Sequence, residues 1–121
     1  MPLDCNGYPT DGTLLSIEEF VIKTDLSNLP EYISLVVSHW AYADWGVKYD
    51  KNTGELELHT AGWSGNESIM RAMQKTRLFW SMFWMQSRRG GHYYFELFQF
   101  DGEGKRCLPM FEISDDGVVE W

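Results

Sequence analysis

The sequence predicts an α+β fold: a four-stranded antiparallel sheet made of two hairpins, packed by two helices on one face, in the order helix, hairpin, helix, hairpin. Three observations carry this. WGVKYDKNTGELELHT alternates apolar and polar residues on either side of Asn52-Thr53-Gly54, the pattern of a hairpin with one wet face. HYYFELFQF and KRCLPMFEIS flank the turn DGEG and read as a second hairpin. Each hairpin is preceded by a stretch with helical spacing and a helix-start signal.

Residues 1–13 read as a loose leader, with Gly7, Pro9 and Gly12 as turn formers. Ser16-Ile17-Glu18-Glu19 fits a capping box, so a short helix could begin there, whereas FVIKT reads equally well as a strand; residues 14–26 stay open. Ser27-Asn28-Leu29-Pro30-Glu31 is a firmer helix start: a polar cap, Pro in the first turn, then Glu. Tyr32, Ile33, Val36, Val37, Trp40 and Tyr42 follow near helical spacing, and Gly46 comes after the end. The hairpin of residues 45–60 is next. A helix is then expected from about Asn66 to about Ser87, with Glu67, Arg71 and Lys75 spaced i,i+4. Its second half, LFWSMFWMQ, is apolar nearly all round, which means deep burial or a face kept for a partner. Gly90-Gly91 ends it. In the last strand, Pro109 cannot donate to a ladder and favours an edge.

The chain of 121 residues fits one domain over 1–121 and can bury a core rich in aromatic residues, with six Trp, six Tyr and seven Phe. No run of 18 apolar residues is present, so no membrane span is expected. The start of the chain lacks the layout of a signal peptide, and Cys5 and Cys107 are read as reduced thiols of a cytoplasmic protein. The net charge of −8 is unevenly distributed. Residues 61–89 carry Arg71, Lys75, Arg77, Arg88 and Arg89 against Glu67 alone, a basic segment inside an acidic protein. The overall sign argues against nucleic acid as a direct partner, because phosphates would be repelled. It suits either solubility or a basic protein surface, including one that normally holds nucleic acid.

Two constellations are candidate sites. The first is Gly62-Trp63-Ser64-Gly65-Asn66 ahead of the helix. It resembles a nucleophile elbow, but the fifth position is Asn66 rather than Gly, and nothing fixes His59 or His92 near Ser64, so no catalytic residue is assigned. Ser64 and Glu67 fit a capping box, and the glycine loop at a helix start could also receive an anion, although Glu67 already fills that field. The second is Ser87-Arg88-Arg89-Gly90-Gly91-His92. Two arginines, glycines and a His could cradle a phosphate or carboxylate, and they equally make a good helix end. Trp63, Ser64, Gly65, Asn66, Arg88, Arg89, Gly91 and His92 are therefore the candidate binding residues. A single helix would hold the two groups ~30 Å apart, at 1.5 Å per residue, so they would meet only if it breaks or across a homodimer. The three His residues show no metal spacing, and no metal or cofactor is expected.

The block GWSGNESI, followed by FW and then SRRGGHYYFE, resembles short accessory proteins encoded by tailed bacteriophages, over roughly residues 45–98. The resemblance carries no catalytic assignment. It implies a small protein acting in a bacterial host cytoplasm, and proteins of this kind often bind and modulate a host machine, defence systems included. The expected function is a non-enzymatic interaction protein that binds a host protein as an inhibitor or counter-defence factor. The alternative is a binder or sponge of a phosphate-bearing small molecule or nucleotide.

Overall fold

A computed structural model of the chain describes residues 9–40, 46–60, 62–114 and 118–120. The expectations for the first eight residues and for Tyr42 lie outside them. The chain runs α1 (Asp11–Glu18), α2 (Leu29–Ser38), β1 (Val47–Asp50), β2 (Glu55–His59), α3 (Ser64–Lys75), α4 (Arg77–Phe83), β3 (Trp84–Arg88) and β4 (His92–Glu96). Four two-residue strands follow: β5 (Gln99–Phe100), β6 (Arg106–Cys107), β7 (Glu112–Ile113) and β8 (Val119–Glu120). The α+β class and a four-stranded antiparallel sheet are as the sequence predicts. The order is not: two helices precede each hairpin of the sheet, making four among the described residues, and two small ladders are added at the end.

The first helix is set by Thr10, whose hydroxyl accepts the N–H of Thr13 at 3.2 Å. Residues 11–13, expected in the leader, are therefore helical, and the helix starts before the Ser16 box. The second helix begins where Pro30 predicted it. The FVIKT segment is neither helix nor strand; Asn28 holds it, accepting from Lys23 N at 2.9 Å and donating to the Val21 carbonyl at 2.9 Å.

The largest departure is the helix expected over 66–87. It breaks at Thr76, whose backbone leaves the helical region (φ −80, ψ 78). The Thr76 hydroxyl is buried and donates to the Ile17 carbonyl at the end of α1 at 2.8 Å. Beside it, the Lys75 ammonium reaches the Glu18 carboxylate at 3.0 Å. After α4 the chain goes extended, so WMQSR is a strand and not a helix end. The apolar run is divided accordingly: Phe79 and Phe83 are buried, whereas Leu78, Trp84 and Met85 are exposed.

β3 thereby takes the place in the sheet that KRCLPMFEIS was expected to fill. The order is β1-β2-β4-β3. The long strand HYYFELFQF stops at Glu96; the Leu97 N–H still reaches the Gly54 carbonyl at 2.8 Å, in register with β2, and the Gln99 side chain is then buried. Gln99 then pairs Cys107 across the expected DGEG turn, but in a separate two-stranded ladder. Pro109 lies between β6 and β7, outside any ladder.

Register sorts the sheet into two faces. Val47, Leu56, Leu58 and Phe95 are buried on one. On it, Phe79 of α4 packs against Phe95 at a centroid distance of 5.4 Å and against Tyr32 of α2 at 4.8 Å, and Tyr32 meets Phe20 at 5.1 Å. These rings join α2, α4 and β4 into one core. The other face is polar. Its rows read Asp50, Glu55, Glu96, then Lys48, Glu57, Tyr94, Gln86, then His59, His92, Arg88. Glu55 opposite Glu96 is a like-charge pair, offset by Arg106 at 3.2 Å from Glu96. Among the described residues no helix is long and apolar enough to cross a membrane.

Two tyrosines make stability depend on alkaline pH. Burial, helped by the Asp50 and Glu112 carboxylates, pushes the Tyr49 hydroxyl up to about 12. Burial raises Tyr32 in the same direction, with the Thr76 hydroxyl pulling back slightly. In the unfolded chain both ionise near pH ~10. Their contribution is thus fully present below pH ~10 and falls as pH rises from there through the folded-state values. Urea midpoints measured between pH 9 and 11.5 are expected to drop for the wild type and to drop less for the Tyr32→Phe/Tyr49→Phe protein. Parallel profiles would contradict the assignment.

Candidate functional site

The break at Thr76 brings together what the sequence separates. With α3 no longer running into residues 84–92, the β3–β4 turn folds back onto the end of β2. The Thr60 N–H donates to the Gly91 carbonyl at 2.9 Å, and the Trp63 N–H donates to the Thr60 carbonyl at 2.8 Å. The two constellations therefore meet within one chain, joined through Thr60. The expected separation of ~30 Å does not hold, because the helix it assumed does not exist, and no dimer is needed to bring them together.

The candidate residues differ in what they can offer. The helix starts at Ser64, with Trp63 at the N-cap, and the Glu67 N–H is taken by the Trp63 carbonyl at 3.1 Å. Ser64 is thus the first helical residue rather than the cap that the capping box required. Its carbonyl accepts the Ser68 hydroxyl at 3.0 Å. Ser64 is exposed, Trp63 is half-buried, and Gly65 and Asn66 are buried in the first turn. A ligand at the surface would meet Ser64 and part of Trp63 but not the other two. Arg88 and Arg89 are exposed; Gly91 and His92 are half-buried.

His92 faces a residue that the sequence reading had not placed beside it. Register sets His59 opposite His92, and their Nδ1 atoms are in hydrogen-bonding reach of each other. Such a bond needs one Nδ1–H as donor and one bare Nδ1 as acceptor. His59 Nε2 lies 3.4 Å from the Glu57 carboxylate. Next along the row, Arg88 sits over the Tyr94 ring at 5.2 Å and donates from Nε to the Gln86 amide oxygen at 3.3 Å. The imidazoles are thus turned toward each other and toward an acid, and less toward an incoming anion. Among the described residues no group of three or more His, Cys, Asp or Glu is arranged to hold a metal ion. Cys107 is free and half-buried; Cys5 lies outside the described residues.

β3 adds features that no motif signalled. Among the described residues it is a sheet edge, bonded to β4 on one side, with all five residues exposed. Trp84 is 42% and Met85 45% exposed. The register shifts between Trp84 and Gln86, so Met85 is bulged out of the ladder. Trp84 stacks on Trp80 at 5.8 Å and donates its indole N–H to the Ser87 hydroxyl at 2.9 Å, which holds the ring at the surface. Neither Arg88 nor Arg89 forms an ion pair among the described residues. The chain matches no family model, no curated protein and no solved structure.

The junction can be tested at its glycines. Gly91 has φ +79, and a Cβ there would lie 1.9 Å from the Thr60 hydroxyl oxygen, while Gly62 has φ +75 and open space around it. Gly62→Ala is expected to cost about 1–2 kcal/mol from backbone conformation alone. Gly91→Ala should cost about 2–4 kcal/mol, because a steric overlap with a buried residue is added. Chemical denaturation of both proteins decides; equal losses would mean that the turn does not press on Thr60.

Proposed function

We propose that the protein is a non-enzymatic interaction module that docks on another protein by adding a strand to the β3 edge. The observation that supports this best is the open edge itself, presenting Trp84 and Met85 to solvent beside Arg88 and Arg89. An exposed edge strand offers backbone N–H and C=O groups as a template for a further strand, and an exposed Trp held in place is a ready anchor. The two arginines have no carboxylate partner among the described residues of a chain with net charge −8. The occupant is accordingly an extended segment of another protein with an acidic residue at the Arg88–Arg89 end and an apolar residue over Trp84. The resemblance of the central block to tailed-phage accessory proteins makes a bacterial host protein, such as part of a defence machine, our reading of that partner.

Photo-crosslinking from position 87 in bacterial cells, with the crosslinked peptide sequenced, tests this. The expected result is a crosslink to one extended acidic segment of a host protein, reduced at least tenfold by Arg88→Glu with Arg89→Glu and by Met85→Lys. All three positions are exposed, so the fold is expected to survive. Crosslinks that map to a second copy of the chain, or that persist unchanged in both variants, would overturn the reading.

A second reading, a sponge for a phosphate-bearing small molecule held by Arg88, Arg89 and His92, is favoured by the meeting of the two loops at Thr60. Titration calorimetry with ATP and with inorganic phosphate tests it. Saturable binding lost in Arg88→Ala/Arg89→Ala supports it, and no heat at millimolar ligand rejects it.

A further inference from the structure

Away from this edge, a cleft of about 560 Å³ opens between the loop before α2 and the β5–β6 hairpin. That volume lies in the range of small-molecule sites, ~300–1,000 Å³. Residues of three separate segments line it: Thr24, Asp25 and Ser27; Gln99, Phe100, Asp101, Gly102 and Gly104; and Met110. One buried amide holds them in place. Gln99 is 3% exposed; its Nε2 donates to the Leu26 carbonyl at 2.9 Å, and its Oε1 accepts the Met110 N–H. Leu26 is held at φ +60, a conformation that costs a non-glycine residue energy and that this clamp helps to maintain. The walls are therefore preset, and a ligand would not have to order them.

The lining has one charge sign. Among the described residues, Asp25 and Asp101 are the two charged ones that line it, with no Lys or Arg. Asp101 uses Oδ1 to accept the N–H groups of Glu103 at 2.8 Å and Lys105 at 3.0 Å, and its Oδ2 makes no hydrogen bond among the described residues. The Lys105 ammonium turns to Glu103, 3.7 Å away. Asp25 accepts the Ser27 N–H at 3.0 Å, and that bond first, then the Ser27 hydroxyl, with Lys23 adding less, keeps its carboxyl below the usual range and so ionised. An aromatic ring, Phe100, and the flexible Met110 share the lining with the two acids.

We infer that this cleft binds a small organic ammonium ion, its charge between Asp25 and Asp101 and its apolar body against Phe100 and Met110. Two carboxylates without a third ligand are a poor metal site, whereas an ammonium group needs only acceptors on one side and gains from an aromatic face. The site is independent of the β3 edge.

The test is a ¹H–¹⁵N NMR titration of the full chain with 2-phenylethylammonium chloride, with sodium phenylacetate as the anion of similar size and CaCl₂ as the bare cation. The expected result is saturable shifts at Gly102, Gly104 and the Gln99 side-chain amide with the ammonium alone. Affinity should fall at least tenfold in Asp25→Asn/Asp101→Asn, which keeps the Oδ1 acceptors that shape both loops, and severalfold in Met110→Ala, which leaves the charges in place. No saturable shift with the ammonium, equal shifts with phenylacetate or CaCl₂, or unchanged affinity in both variants would overturn the inference.

Discussion

The arrangement depends on one buried contact, the Thr76 hydroxyl donating to the Ile17 carbonyl. A hydrogen bond of this kind is worth only about 1 kcal/mol net, but leaving either group buried without a partner would cost about 1–3 kcal/mol. No Gly or Pro occupies the break, so local chemistry alone would let α3 continue. The alternative, one long helix, would carry Phe79 and Phe83 away from Tyr32 and Phe95 and expose rings that are now fully buried. Burying a Phe side chain stabilises by roughly 1.5–3 kcal/mol, so the two rings outweigh the interrupted helical bonds. The hydroxyl then determines where the break falls, and the rings make breaking favourable.

Everything at the candidate site descends from that break. It frees Trp84–Arg88 to become an edge strand. It sets His92 opposite His59, and it carries Gly91 to the Thr60 backbone. Gly91 is needed there for two separate reasons, a left-handed backbone and an approach too close for any Cβ.

This explains what could be read from the sequence. The first hairpin was legible, from Val47 to His59 within the expected 45–60, since alternation and Asn52-Thr53-Gly54 are local signals; Trp45 lies outside the described residues. So was the start of α2, through Pro30. The break at Thr76 was not, because its partner is 59 residues away and the sequence on either side of Thr76 shows only helical spacing. β3 was lost with it: LFWSMFWMQ is apolar enough for helix or strand, and period alone does not separate them in a short run. The same run was read as deep burial or a face kept for a partner; the structure buries Phe79 and Phe83 and leaves Leu78, Trp84 and Met85 exposed. The candidate arginines were legible as a cation pair, whereas the facing of His59 and His92 was not, because it depends on which strands pair. The cleft by Gln99 had no sequence signal at all, being assembled from residues 24–27, 99–104 and 110.

An open edge bearing Trp and Met is a hazard as well as an opportunity, and β3 carries features that limit what can pair with it. The bulge at Met85 interrupts the regular template at one end, and Arg88 and Arg89 charge the other. A second copy pairing antiparallel about Gln86 sets Arg88 opposite Trp84, with no acid on β3 to meet either arginine, and brings a further net charge of −8. An acidic segment from another protein meets neither penalty at the contact. The local charge of the edge, opposite in sign to the molecule as a whole, is the feature on which the proposed docking of a foreign acidic strand rests.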